Sequence, residues 1–198
     1  SIINYGMGNL RSVQNALNYL KIENQITQNH KEIIKADKFI LPGVGSYKKA
    51  MLELNKLNLI STLKEEIKIK KKPILGICLG MQLLSDWGEE GNIDGIGLIT
   101  GRVKKFDLKK NKIPHVGFNN ISLKKHSILF DGINDNSDFY FVHSYHFLVE
   151  EEKNILATTF YEDDFISAVE EENLFGVQFH PEKSQKNGLK LLKNFGKI

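Results

Sequence analysis

Apolar residues fall into two kinds of run along this chain. Up to Gly88, short apolar stretches alternate with longer segments of helical period. "SIINY" (1–5) is short and apolar and ends in the glycine-bearing turn "GMGN". In "NLRSVQNALNYL" (9–20), Leu10, Val13, Leu17 and Leu20 recur at the spacing of one helix face. "KFIL" (38–41) predicts a buried strand that stops at "PGVGS" (42–46), and residues 47–72 predict one or two helices. "PILGI" (73–77) predicts a second buried strand, and "LGMQLLSDW" (79–87) a helix. This β-loop-α alternation predicts a largely parallel sheet with helices on its faces.

Beyond Gly88 the pattern changes. "LITGRVKKFDL" (98–108), "IPHVGFNNISL" (113–123), "DFYFVHSYHFLV" (138–149), "ILATTFY" (155–161), "FISAVEE" (165–171) and "LFGVQFHPE" (174–182) read as strands joined by turns. "SQKNGLKLLKNFGKI" (184–198) reads as a closing helix using Leu189, Leu192 and Phe195. The fold class is therefore α/β: an open, mostly parallel sheet flanked by helices, with a mixed or antiparallel C-terminal extension. No repeat, low-complexity linker or composition shift divides residues 1–198, which predicts a single domain.

Composition sharpens this picture in a few places. The formal charge is +3, and of 27 basic residues only Arg11 and Arg102 are arginines. Arginine is the preferred side chain for bidentate phosphate and base contacts, so its scarcity argues against nucleic acid as the main partner. The run "KIKKK" (68–72) reads as the solvated end of a helix. A single cysteine cannot form an internal disulfide, which predicts a reducing, cytoplasmic setting. The first ten residues carry no basic flank and apolar core of a signal peptide, and no apolar run approaches a membrane span.

That cysteine, Cys78, lies in "GICLG" between a predicted strand and a predicted helix. A buried cysteine in general is a small apolar residue. Glycines two residues to either side instead match a nucleophile elbow, a sharp turn that exposes the side chain. The helix that follows directs its N-terminal dipole and free N–H groups at the thiol, favouring a thiolate and a nearby oxyanion. A thiol nucleophile needs a base, and the base an orienting group. Among the six histidines, His180 in "GVQFHPE" is delivered by an apolar strand that Pro181 ends, and strand ends are where open α/β sheets place their sites. Glu182, two residues on, points the same way in extended chain and can accept from one ring nitrogen. "PGVGS" can supply oxyanion N–H groups through close backbone approach. His143 and His146, three apart in a strand-like segment, should face opposite sides, and no cysteine or carboxylate cluster completes a metal set with them.

"PGVGS", "GICLGMQ" and "FHPE", in this order and at these separations, resemble class I glutamine amidotransferases with a Cys-His-Glu triad, on a flavodoxin-like α/β fold. The match runs essentially end to end. "NYGMGNLRSV", "IPHVGFN", "YFVHSY" and "FGVQFHPEKS" are most similar to the glutaminase subunits of imidazole glycerol phosphate synthases. The resemblance implies Cys78 as nucleophile, His180 as acid and base, and Glu182 as its orienter. It implies an oxyanion hole shaped by Val44, Gly45 and Leu79, and glutamine held with help from Gln82 and Ser144. Gly6, Met7, Asn9, Tyr140 and Lys183 fall where the family meets a barrel-shaped synthase subunit, in a heterodimer that passes ammonia on. No cofactor and no metal is implied. Phe118, in place of a usual tryptophan, and His146, in place of a common aromatic, resemble instead a sister branch that supplies ammonia for amidination of a surface sugar. A peptidase or γ-glutamyl hydrolase on the same fold, and a non-catalytic regulatory module, are the other classes; the intact set of Cys78, His180 and Glu182 argues against the last.

Overall fold

The structure, a computed structural model, describes residues 1–198. Its first half contains β1 (Ile2–Ile3), α1 (Leu10–Tyr19), β2 (Ile26–Thr27), α2 (His30–Lys35), β3 (Phe39–Gly43), α3 (Tyr47–Lys56), α4 (Leu59–Lys64), β4 (Ile74–Cys78) and α5 (Leu79–Leu83). The second half contains β5 (Trp87–Gly88), β6 (Ile93–Asp94), β7 (Gly101–Lys105), β8 (His115–Asn120), β9 (Ser122–Leu123), β10 (Asp138–His143), β11 (Tyr145–Val149), β12 (Ile155–Tyr161), β13 (Asp163–Glu171), β14 (Leu174–Val177) and α6 (Gln185–Lys197). No helix is long and apolar enough to cross a membrane.

The main sheet has eight strands in the order β2-β1-β3-β4-β14-β13-β12-β9. The first five run parallel, and β13, β12 and β9 add on antiparallel. Parallel strands are buried on both faces, which is why β3 and β4 are continuous apolar runs. Successive side chains go to opposite cores. Ile40, Leu75 and Ile77 join Val13 and Leu17 of α1 and Leu191, Leu192 and Phe195 of α6 on one face. Phe39, Leu41 and Ile74 join Ala50, Met51 and Leu54 of α3 on the other.

Several expectations are corrected. The whole second half does not extend the sheet: β10-β8 and β11-β7-β5-β6 form two smaller sheets. β3 does not stop at Pro42 but runs to Gly43, which pairs with Cys78. Pro42 is tolerated because its nitrogen points, like that of Ile40, to the β1 side, where the ladder has already ended at Ile40. The Tyr5 hydroxyl takes the place of a strand there, donating to the Pro42 carbonyl at 2.7 Å. The helix after Cys78 ends at Leu83, because Asp86 accepts from the Gly101 N–H at 2.9 Å and Trp87 enters β5. The lysine run is not wholly solvated: Lys70 and Lys72 hold the buried Glu66 carboxylate at 2.5 and 2.6 Å.

Candidate active site

Cys78 ends β4 and immediately precedes α5, with φ 54° and ψ −111°. A side chain at positive φ is strained, so the surroundings must enforce it. They do so by bringing α5 back hard against β3 and β4. A Cβ on Gly80 would sit 1.7 Å from the Leu41 carbonyl oxygen, and one on Gly76 would sit 2.7 Å from that of Gly80. Only glycines permit this return.

β14 is the parallel neighbour of β4, with Val177 opposite Ile77, so the chain beyond it reaches the same edge as Cys78. There the backbone of His180 is pinned: its N–H donates to Tyr140 O at 2.8 Å, and its carbonyl accepts from Ser184 Oγ at 2.6 Å. The chain is not extended beyond His180, since residues 181–183 form one 3-10 turn. The predicted pair forms through that turn, with His180 Nδ1 2.8 Å from Glu182 Oε1 and both side chains buried. His180 Nε2 has no hydrogen-bond acceptor or donor but the Cys78 thiol to face. Burial would lower the His180 pKa. The charge and hydrogen bond of the Cys78 sulfur, followed by the Glu182 carboxylate, outweigh burial and raise it to about 10. The arrangement suits an imidazolium beside a thiolate.

The other predicted residues cluster around this core. Gly43 lies opposite Cys78, so Val44 and Gly45 leave β3 beside the thiol, and their N–H groups donate to no acceptor within the chain. Leu79 opens α5, where helix geometry gives its N–H no intrahelical acceptor. Ser144 lies two residues beyond Val142, whose carbonyl is 3.8 Å from Cys78 Sγ. Gln82 is close but already occupied. Its Nε2 donates to Tyr145 O and to Gln178 Oε1, both at 2.9 Å, so only its Oε1 remains for a ligand. Gln178 itself escaped the sequence reading, although its Nε2 lies 3.6 Å from Sγ. The available signal was a polar residue inside the apolar strand "GVQF".

At the rim, Lys183 Nζ lies 5.7 Å from the Tyr140 ring, and Phe118, half exposed, meets that ring edge-on at 5.5 Å. The Gly6–Asn9 loop lies along the segment after β3, with Met7 against Gly45 and Gly8 against Pro42. His143 and His146 do not face opposite sides. The chain bends at Ser144, and both rings pack on Phe106, with centroids at 5.1 and 4.8 Å. His143 instead hydrogen-bonds His115 at 3.1 Å. A cavity of about 570 Å³ lies away from this chemistry, among Leu17, Ile22, Gln25, Lys38, Leu192 and Phe195.

The family model described as "Glutamine amidotransferase class-I" matches residues 1–198. Imidazole glycerol phosphate synthase subunit HisH 2 of Methanococcus maripaludis is 48% identical over 98% of this chain and 97% of its own. Subunit HisH 1 of Campylobacter jejuni subsp. jejuni serotype O:23/36 is 47% identical over 100% and 99%. A crystal structure of a glutamine amidotransferase shares the fold with TM-score 0.75 at 16% identity, covering 100% of this chain and 99% of that one. A full-length family match and relatives at nearly half identity leave one conclusion: this chain belongs to the class I glutamine amidotransferase family, among its HisH-like members.

Proposed function

We propose that the chain, acting as one amidotransferase domain, is the glutaminase subunit of an imidazole glycerol phosphate synthase in histidine biosynthesis. In this reading the Cys78 thiolate attacks the side-chain amide carbon of glutamine. The Val44, Gly45 and Leu79 N–H groups stabilise the tetrahedral oxyanion. His180 gives its proton to the departing ammonia, leaving a thioester on Cys78. Water then attacks the thioester, His180 takes a proton from it, and glutamate leaves. Glu182 keeps the imidazole oriented and stabilises its charged form. Gln82, through its Oε1, and Ser144 hold the glutamine. The observation that carries the reading is the strained Cys78 set beside a His180 ring whose far nitrogen is held at 2.8 Å by Glu182.

The ammonia passes to a barrel-type synthase subunit docked over Gly6, Met7, Asn9, Tyr140 and Lys183, in a cytoplasmic heterodimer. The names of the curated relatives favour this acceptor over the sugar-amidinating one, although Phe118 and His146 are the residues that suggested the latter. The test is Cys78→Ala. It should abolish glutamine hydrolysis, while free ammonia still supports product formation with the synthase subunit present. Hydrolysis at near the unsubstituted rate would end the assignment.

A further inference from the structure

Gln178 is fully buried beside the thiol, and nothing in the mechanism above uses it. A buried amide must have its groups paired, so its orientation can be read from its partners. Oε1 accepts from Gln82 Nε2 at 2.9 Å, which turns Nε2 toward Cys78 Sγ at 3.6 Å. The flipped amide would set two NH2 groups against each other and a carbonyl oxygen against the sulfur. We propose that Gln178 is a further catalytic residue, whose Nε2–H donates to the Cys78 sulfur and holds it as a thiolate. This rests on the reading of Cys78 as the nucleophile.

Besides the His180 imidazole, the sulfur has two polar contacts of opposite preference. The Val142 carbonyl, at 3.8 Å, accepts from a thiol and repels a thiolate. The Gln178 amide donates and favours the thiolate. The ionisable groups around the sulfur are His180, with Glu182 behind it, and Tyr5, whose hydroxyl is engaged with Pro42 O. Gln178 is thus the one neutral side chain that donates to Sγ, and its effect is separable from that of the imidazolium.

The donor is held by a chain of hydrogen bonds that runs out to the protein surface. The second N–H of Gln82 donates to Tyr145 O at 2.9 Å. The same carbonyl accepts from His143 Nδ1 at 2.8 Å. That bond places the His143 proton on Nδ1 and leaves Nε2 to accept from His115 Nδ1 at 3.1 Å. His115 Nε2 in turn accepts from Asn119 Nδ2 at 3.3 Å, and Asn119 also donates to Phe160 O at 3.0 Å. Every link has a single consistent direction when both histidines are neutral. Burial favours that state, pushing His115 down to about 4 and His143 to about 3. A proton added to either would set two N–H groups against each other in the middle of the chain.

Because Cys78 is the only thiol, its ionisation can be read from the pH dependence of iodoacetamide alkylation followed by mass spectrometry. Gln178→Leu should move the alkylation midpoint up by about one pH unit and lower kcat for glutamine about tenfold, with KM within about twofold. A packing role would lower stability without moving the midpoint. Gln178→Glu is isosteric and keeps the bond from Gln82, so it guards against failure of the leucine variant to fold. Its carboxylate beside the sulfur should raise the midpoint by more than the leucine does. Either variant, folded by circular dichroism but with a midpoint within about 0.2 units of the unsubstituted chain, would overturn the proposal. The alkylation arm needs no glutamine, so it fails independently of the glutaminase reading, which stands or falls on Cys78→Ala.

Discussion

Gly80→Ala sets two effects of opposite sign against each other. Gly80 is the second residue of α5, and alanine is the better helix former by about 1 kcal/mol. Propensity alone therefore predicts a more stable protein. The added Cβ, however, would sit 1.7 Å from the oxygen and 2.7 Å from the carbon of the Leu41 carbonyl, against an ordinary contact of 3.4 Å or more. Both partners are backbone, so no side chain can rotate away, and α5 must separate from β3 by well over 1 Å. Overpacking costs about 1–3 kcal/mol, and a backbone clash this deep belongs at or above the upper end. After the propensity gain, a net loss of about 2 kcal/mol or more remains. The same shift carries the Cys78 turn with it, and a misplacement of about 1 Å can cost roughly 10²-fold in rate. Urea unfolding and glutamate release with the synthase subunit measure the two consequences. Gly97→Ala is the control: its φ is +66°, but the new Cβ would meet only Asp86 Oδ1 at 3.5 Å and Lys64 Nζ at 3.7 Å. It should lose about 1 kcal/mol from backbone strain and keep its rate. A Gly80→Ala variant of undiminished stability and rate would refute the claim that close approach of α5 to β3 builds the elbow.

Glu182→Gln should reduce kcat less than His180→Ala, because an amide still accepts from Nδ1 but cannot stabilise the imidazolium by charge; equal and negligible losses would remove both residues from the mechanism. His115 and His143 refuse protons that the unfolded chain binds below about 6.5, so stability should fall as pH drops from 6.5 to 4.5, by up to about 2.7 kcal/mol per unit. His180 has the opposite sign, its contribution being complete below 6.5 and lost as pH rises through about 10, so it leaves that acid window unaffected. Urea midpoints at three pH values decide the matter, and a flat profile would count against the buried neutral pair. Lys183→Glu should weaken association with the synthase subunit far more than it changes KM for glutamine, as titration calorimetry and kinetics can separate; unchanged affinity would take the Lys183–Tyr140 cluster out of the interface.

The alternation of apolar runs determined the α/β class, the parallel first half and the closing helix, because a strand buried on both faces and a helix buried on one leave different periods in the sequence. The candidate triad was legible for a similar local reason. A cysteine between two glycines at a strand-helix turn, and a histidine and glutamate two residues apart, carry their geometry within a few residues of chain. What lay beyond reach was set by partners distant in sequence. That Pro42 stays in β3 depends on where β1 stops pairing. That β7, β8, β10 and β11 leave the main sheet depends on which edges are already taken. That Gln82 is occupied depends on Tyr145, 63 residues away, and that Gln178 meets the thiol depends on β14 lying beside β4, 100 residues away. The bend at Ser144 turned two histidines of apparently opposite facing onto one phenylalanine. Period and turn chemistry are properties of neighbouring residues and are written along the chain, whereas which buried polar atom satisfies which other is settled only when the sheets have paired and water has been excluded.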